Sequence, residues 1–190
     1  MTVIGVLGNS ASGKTENLIR RIFAAYGMRS IILESGKAGM PEFEYFRKSE
    51  QCCLIVSLKA GEKLPFYLDI LILEDCSRIT YELVKCISHE TRLIYNGDSS
   101  KSPIFIHPNA ISYGMGYNSE ATASSIDTEF DGTSFVFCLQ KEIASLGGNT
   151  IYVGEFRVSI ANEHGGINSI IAAVTCGLLA DVLLFEKVKI

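Results

Sequence analysis

The apolar positions of the chain fall into two rhythms. Residues 2–7 (TVIGVL), 30–34 (SIILE), 51–58 (QCCLIVSL), 67–74 (YLDILILE) and 92–96 (RLIYN) are short, nearly unbroken apolar runs. Such runs predict strands, and the almost continuous run at 67–74 predicts one covered on both faces. Between the first two, residues 15–26 (TENLIRRIFAAY) place Leu18, Ile19, Ile22, Phe23 and Tyr26 on one helical face, with Gly27 as a stop. Residues 79–88 (ITYELVKCIS) predict a second, short helix. Strand and helix alternating in this way predict a parallel sheet with helices packed on it.

Past residue 110 the rhythm changes. TASSIDTEF, an Asp131-Gly132 turn and TSFVFCLQ predict a β-hairpin, and residues 149–160 (NTIYVGEFRVSI) add one or two strands. Residues 168–180 (NSIIAAVTCGLLA) predict a helix that is apolar nearly all round, hence buried. The expected fold is therefore α/β, a mostly parallel sheet flanked by helices. A small antiparallel β patch spans about 111–160, and the whole of 1–190 forms one domain.

Composition narrows the partners. Hydrophobic residues are 47% of the 190, enough for a full core. The net charge is −4 and the Lys and Arg residues are scattered, so nucleic acid is not an expected partner. The six cysteines form no C-x-x-C pair and sit mostly in apolar runs, which predicts buried, reduced thiols. The apolar stretch from residue 170 to 185 is broken by Thr175, Gly177 and Asp181, too interrupted for a membrane span. The chain opens directly on its first strand with no leader pattern, so a cytoplasmic protein is expected, with no membrane partner.

The chemistry is concentrated at residues 8–15, G-N-S-A-S-G-K-T. This is the phosphate-loop pattern, with Gly8, Asn9, Ser10, Ala11, Ser12, Gly13, Lys14 and Thr15 wrapping phosphate. Glycines let backbone N–H groups turn toward phosphate oxygens, the lysine meets the outer phosphates, and the threonine hydroxyl binds Mg²⁺. The loop also has its required setting, a strand before it and a helix after it, whose positive end favours an anion. The site also needs an acid for the metal at the end of a neighbouring strand, where Glu74 and Asp75 follow LDILIL. Alone, these read as a solvated acid pair at a strand end; beside the loop, Glu74 reads as the Mg²⁺ ligand.

Five segments in order resemble the ATP-binding central domain of the Mur ligase family, which includes the UDP-N-acetylmuramoyl-peptide ligases and folylpolyglutamate synthetase. VIGVLGNSASGKT is similar to that family's strand and loop, and LILEDCSR, with Glu74 and Ser77, to its E-x-S-S segment. LIYNGDSS, with Asn96 and Asp98, resembles its N-x-D-D strand end. YGMGYNSEATASSIDTEFDGTSFVF resembles the stretch running from Y-G to D-G-T-S-F, and NEHGGINSIIAA its adenine-side helix. The resemblance implies ATP and Mg²⁺ as cofactors. It implies Lys14 and Glu74 in catalytic roles, Thr15 and Glu74 on the metal, and His164 and Asn168 near the adenine. On its own, His164 is equally a histidine capping a helix start.

The departures also carry information. Glu16 stands in place of the family's second threonine, and Gly165 in place of an asparagine. The family's long insertion, with a second-metal histidine and a carbamylated lysine, is replaced by a short segment holding Lys85 and His89. Neither residue inherits those roles. The resemblance stops short of the family's acceptor and amino-acid domains. The expectation is thus an ATP-binding module that does not ligate by itself, with an acceptor and amine supplied by a protein partner. The alternatives are an amide ligase working with partner chains and a small P-loop kinase or NTPase. For a kinase, Arg20, Arg21, Arg29 and Arg47 are the lid candidates nearest the loop. Nothing in the residues sets an acceptor or an oligomeric state.

Overall fold

The computed structural model describes residues 1–8, 13–35, 52–99, 107–163, 166–183 and 188–189. Ten of its strands form one sheet in the order β2-β3-β1-β4-β5-β6-β7-β8-β11-β12. The parallel part comprises β1 (Thr2–Leu7), β2 (Arg29–Glu34), β3 (Cys52–Leu58), β4 (Leu68–Leu73), β5 (Ile87–Asn96) and β6 (Ala110–Tyr113). The predicted hairpin is present as β7 (Ala121–Glu129) and β8 (Gly132–Leu139), with β11 (Gly154–Ala161) antiparallel to β8. It is not a separate layer: Tyr113 pairs in parallel with Ala121, so the antiparallel strands extend the parallel sheet. The two-residue strands β9 (Ile143–Ala144) and β10 (Thr150–Ile151) pair with each other outside it, and β12 (Val188–Lys189) edges β11.

Two helices cover one face. Helix α1 (Lys14–Ala25) buries Leu18, Ile19, Ile22 and Phe23, four of the residues that the apolar pattern places on one side. The predicted Tyr26 is instead partly exposed, because it is already the C-cap. Helix α3 (Ile167–Leu179) is buried from Ile170 to Leu179, as an all-round apolar helix must be. Alternate strand residues such as Ile4, Val6, Ile70, Ile72 and Ile94 meet these helices. The antiparallel strands meet the same face with Phe135, Phe137, Phe156, Val158 and Ile160, and the Phe137 and Phe156 rings stand 5.1 Å apart. On the other face Val3, Leu7, Leu54, Val56, Leu71 and Leu73 pack against Leu64, Cys76, Leu83 and Cys86. All six cysteines are buried and free.

The helix expected over 79–88 is shorter. A 3₁₀ turn at Cys76–Arg78 precedes α2 (Tyr81–Val84), a single turn capped by the Thr80 hydroxyl, which accepts from Leu83 N–H. Sheet pairing stops it there: Leu68 N–H donates to Cys86 O, and β5 starts at Ile87, ahead of the predicted strand at 92–96. Thr91 then holds the irregular start of β5 by donating its hydroxyl to Leu68 O. Among the described residues no helix is long and apolar enough to cross a membrane.

The Asp131-Gly132 turn explains its glycine. Gly132 has φ +150°, and a Cβ there would lie 2.2 Å from the Ile160 carbonyl oxygen of the neighbouring strand. Gly148 also has positive φ, at +82°, but nothing lies within 4 Å of its Cβ direction. Gly132→Ala is therefore expected to destabilise the chain by clearly more than Gly148→Ala, whose cost is only the left-handed backbone, about 1–2 kcal/mol. Thermal melts of the two variants check this; equal shifts in Tm would contradict the backbone clash.

Candidate functional site

The carboxyl ends of β1, β4, β5 and β6 lie side by side, and the N-terminal ends of α1 and α3 arrive at the same edge of the sheet. Strand β1 is the point where the strand order reverses, with β3 on one side and β4 on the other. Crevices at such reversals, outside the carboxyl ends of the strands, are where open α/β sheets bind ligands.

From β1 the chain passes Gly8 into the loop; Asn9, Ser10, Ala11 and Ser12 lie outside the described residues, and the description resumes at Gly13. Gly13 has φ +52° and precedes the first turn of α1, where its carbonyl accepts from both Asn17 N–H (3.0 Å) and Asn17 Nδ2 (2.8 Å). Lys14 is exposed, and Thr15 is fully buried.

Glu74 is the residue around which the site is arranged. Its N–H donates to Leu7 O at 2.9 Å, continuing the β1–β4 ladder one step past the strand. The Thr15 hydroxyl donates to its Oε1. Its carboxylate leans over the start of the loop, where a Cβ on Gly8 would fall 1.8 Å from Oε2; only glycine leaves that room. Burial pushes the Glu74 carboxyl above the usual range; the Thr15 hydrogen bond pulls it back in part, and the nearby Glu16 charge pushes it further up. A half-buried carboxylate next to a hydroxyl at the mouth of the loop is a donor set suited to a hard divalent cation. Asp75 is placed differently: its Oδ1 accepts from Ser77 N–H (3.0 Å) and Ser77 Oγ (2.6 Å), capping the 3₁₀ turn. Of the acid pair, only Glu74 faces the loop.

Two residues that the motifs do not single out join this site. Arg78 donates from Nη1 to the Gly8 carbonyl, so the turn after Glu74 braces the entry to the loop. Glu16 is 1% exposed, and its Oε1 accepts from Ser57 Oγ at 2.5 Å. The sequence does hold a signal for Glu16, since it shares a helical face with Ile19 and Phe23, three and seven residues on. Arg78 has no such signal, because its partner is seventy residues away in the chain.

The β5 end forms a second cluster. Asn96 Nδ2 donates to Glu74 O at 3.4 Å, and its Oδ1 accepts from Asp98 N–H at 2.9 Å. Asp98 in turn accepts from Met115 N–H (2.8 Å), Gly116 N–H (2.7 Å) and Asn168 Nδ2 (3.1 Å). Partial burial pushes the Asp98 carboxyl up, but these donors together outweigh it and hold it below the usual aspartate range. Asn168, at the start of α3, is thereby tied to β5, while its Oδ1 is buried without a partner among the described residues. His164 lies outside the described residues. Tyr113 is buried beneath this edge, within electrostatic reach of Glu74, Cys76 and Asp98.

Other candidates fall away from the site. His89 is seven residues before Asn96 on β5, roughly 23 Å at about 3.3 Å per residue. It sits at the opposite end of the strand, exposed beside Glu90. Lys85 pairs with Glu82 and lies over the Tyr81 ring at that same end. Arg21 is committed to the end of β11, donating to Ala161 O and pairing with Glu163, and Arg47 lies outside the described residues. Among the described residues no group of three or more His, Cys, Asp and Glu side chains is arranged to hold a metal ion. The set at the loop is carboxylate plus hydroxyl, which is what Mg²⁺ uses when waters complete its shell.

The fold is shared with solved structures. MurF from Acinetobacter baumannii superposes on 97% of the chain with a TM-score of 0.63 at 14% identity. The chain has a Mur-ligase fold. A UDP-N-acetylmuramoyl-L-alanyl-D-glutamate–2,6-diaminopimelate ligase matches 95% of it with a TM-score of 0.64 at 12% identity. A murein peptide ligase from Psychrobacter arcticus matches 93% with a TM-score of 0.56 at 12% identity. The chain spans 43–44% of the length of these ligases. No family model matches the sequence, and no curated protein matches it either.

The Asp98 network gives a pH test. Because its folded carboxyl is held low, its stabilising effect is fully present above the ordinary aspartate value and is lost as pH falls through the folded one. Asp98→Asn is expected to lower Tm at pH 7, by roughly 2–4 °C for about 1 kcal/mol of lost hydrogen bonding. The gap to wild type should close in melts taken below the ordinary aspartate value. A gap independent of pH would assign the effect to packing.

Proposed function

We propose that the chain is a Mur-ligase-type nucleotide module that binds ATP with Mg²⁺ at the β1–α1 loop and does not form an amide bond by itself. The observation that carries this reading is the pairing of Thr15 with Glu74 across the mouth of the loop. Two oxygen ligands for one hard cation, 59 residues apart in sequence, meet beside the Gly8 cradle. The fit is chemical as well as geometric: burial penalises the Glu74 charge, and a cation there would relieve it.

In this reading Thr15 and Glu74 hold Mg²⁺, which when bound would neutralise charge on the outer phosphates. Lys14, exposed at the start of α1, donates to phosphate oxygens. The loop N–H groups from Gly8 to Gly13 and the N-terminal end of α1 add fixed positive potential. Asn168 and the Asp98 cluster border the nucleotide on the α3 side, and His164 adjoins them in sequence. Arg78 keeps Gly8 in place for the Glu74 carboxylate. The acceptor and amine are held by surfaces outside these 190 residues, on a partner chain or on further domains. A protein of this kind works in the cytoplasm, where ATP is.

Titration calorimetry tests the nucleotide site. Lys14→Ala should lose on the order of 2–3 kcal/mol of ATP affinity, the worth of a charge-assisted contact. Glu74→Gln should weaken Mg²⁺-ATP more than metal-free ATP. Equal heats for wild type and Lys14→Ala would sink the proposal.

Ligation needs a carboxylate held in line with the transferred phosphoryl group and an amine beside it, and such positioning supplies up to roughly 7–11 kcal/mol. The purified chain, given Mg²⁺-ATP, muramoyl or folate-type acceptors and an amino-acid panel, is expected to yield no ligated product by mass spectrometry. Slow ATP hydrolysis is the most activity expected. Turnover at an ordinary ligase rate would overturn this part of the reading.

A further inference from the structure

Glu16 stands where the family resemblance has a threonine, and it is buried at 1% exposure in the first turn of α1. Ser57, one residue before the end of β3, satisfies its Oε1 at 2.5 Å. Its Oε2 is buried and has no hydrogen-bond partner among the described residues. That oxygen faces the loop, 4.0 Å from where a Cβ on Gly13 would sit. Its charge also reaches Glu74, whose own carboxylate touches the space above Gly8. A buried acid and a half-buried one thus flank the ends of the loop, Glu16 from the β3 side of β1 and Glu74 from the β4 side.

An unpaired buried carboxylate oxygen is costly, and a like charge within reach raises that cost. Bringing the phosphates of a nucleotide into the same loop would add further repulsion. A hard divalent cation removes all three penalties, since it takes carboxylate and hydroxyl oxygens as ligands and keeps waters for the rest. We propose that Glu16 is a second carboxylate ligand of this loop, so that the nucleotide-free chain binds a divalent cation such as Mg²⁺ or Mn²⁺ between Glu16, Thr15 and Glu74. The loop then meets phosphate with the metal already in place. This rests on reading the loop as a metal and phosphate site, and it goes beyond that reading because the usual loop has no carboxylate at this position.

The test is Mn²⁺ binding to the nucleotide-free chain, followed by loss of the free-ion electron paramagnetic resonance signal. Wild type is expected to bind one Mn²⁺, and Glu16→Gln, Glu16→Thr and Glu74→Gln each to bind it at least tenfold more weakly. Mg²⁺ should compete. No uptake of Mn²⁺ by wild type, or uptake by Glu16→Gln equal to wild type, overturns the proposal. Should the Glu16 variants fail to fold, a wild-type crystal soaked in Mn²⁺ decides instead. An anomalous peak at coordination distance from the Glu16 carboxylate supports the proposal, and a peak on Glu74 without Glu16, or none, overturns it. Calorimetry with Mg²⁺-ATP separates the two claims. Binding of Mg²⁺-ATP without Mn²⁺ uptake leaves the nucleotide reading standing and the second ligand refuted. Mn²⁺ uptake lost in the variants, with no ATP binding, does the reverse.

Discussion

Strand β1 is hydrogen-bonded on both edges, to β3 over Thr2–Leu7 and to β4 over Ile4–Leu7, and it is covered on both faces. That double pairing fixes where the chain after Leu7 must go. Gly8 emerges between the ends of β3 and β4; on one side Ser57 pairs with Val6, two residues back, and on the other Glu74 follows the Leu7–Leu73 pair. The ladder bond from Glu74 N–H to Leu7 O carries the register one residue further, and it places the Glu74 side chain over the loop. Slipping β4 by one residue would turn Glu74 to the other face of the sheet and bring Asp75 into its place. The candidate site is thus a consequence of sheet register.

Charge at this edge is managed in two ways. Asp98 is given donors, two backbone N–H groups and the Asn168 amide, and its carboxylate is stabilised in place. Glu74 and Glu16 receive one hydroxyl each, from Thr15 and Ser57, and are otherwise left to burial. The first arrangement ties β5 to α3 and stiffens the edge. The second ties the first turn of α1 to the ends of β3 and β4.

The antiparallel strands serve the same edge indirectly. Helix α3 needs apolar cover along its length, and the parallel strands supply only part of it. Helix α1 and strand β7 also pack on it, and Phe135, Phe137, Phe156, Val158 and Ile160 from β8 and β11 join the same apolar cluster. The single parallel step from Tyr113 to Ala121 makes those strands part of the main sheet, on the face where α3 lies and from whose start Asn168 reaches Asp98.

The residues that pattern alone determines are those whose partners are near in sequence or whose role is burial. Strands β1 to β5, α1, the Asp131-Gly132 hairpin and the buried α3 follow from apolar period and turn chemistry, whereas β6 falls at the start of the stretch expected to be antiparallel and pairs parallel to β5. The end of α2 does not, because the Leu68 bond to Cys86 O that stops it comes from a strand nearly twenty residues earlier. The same holds for the site. Gly13, Lys14, Thr15 and Glu74 are legible one by one, but the choice of Glu74 over Asp75 needs the β1–β4 register. Arg78 on Gly8, Glu16 on Ser57 and Asn168 on Asp98 join residues that are about 40 to 70 apart in the chain. Local propensity carries no information about such pairs, since each exists only once the sheet has set the distance between its strands.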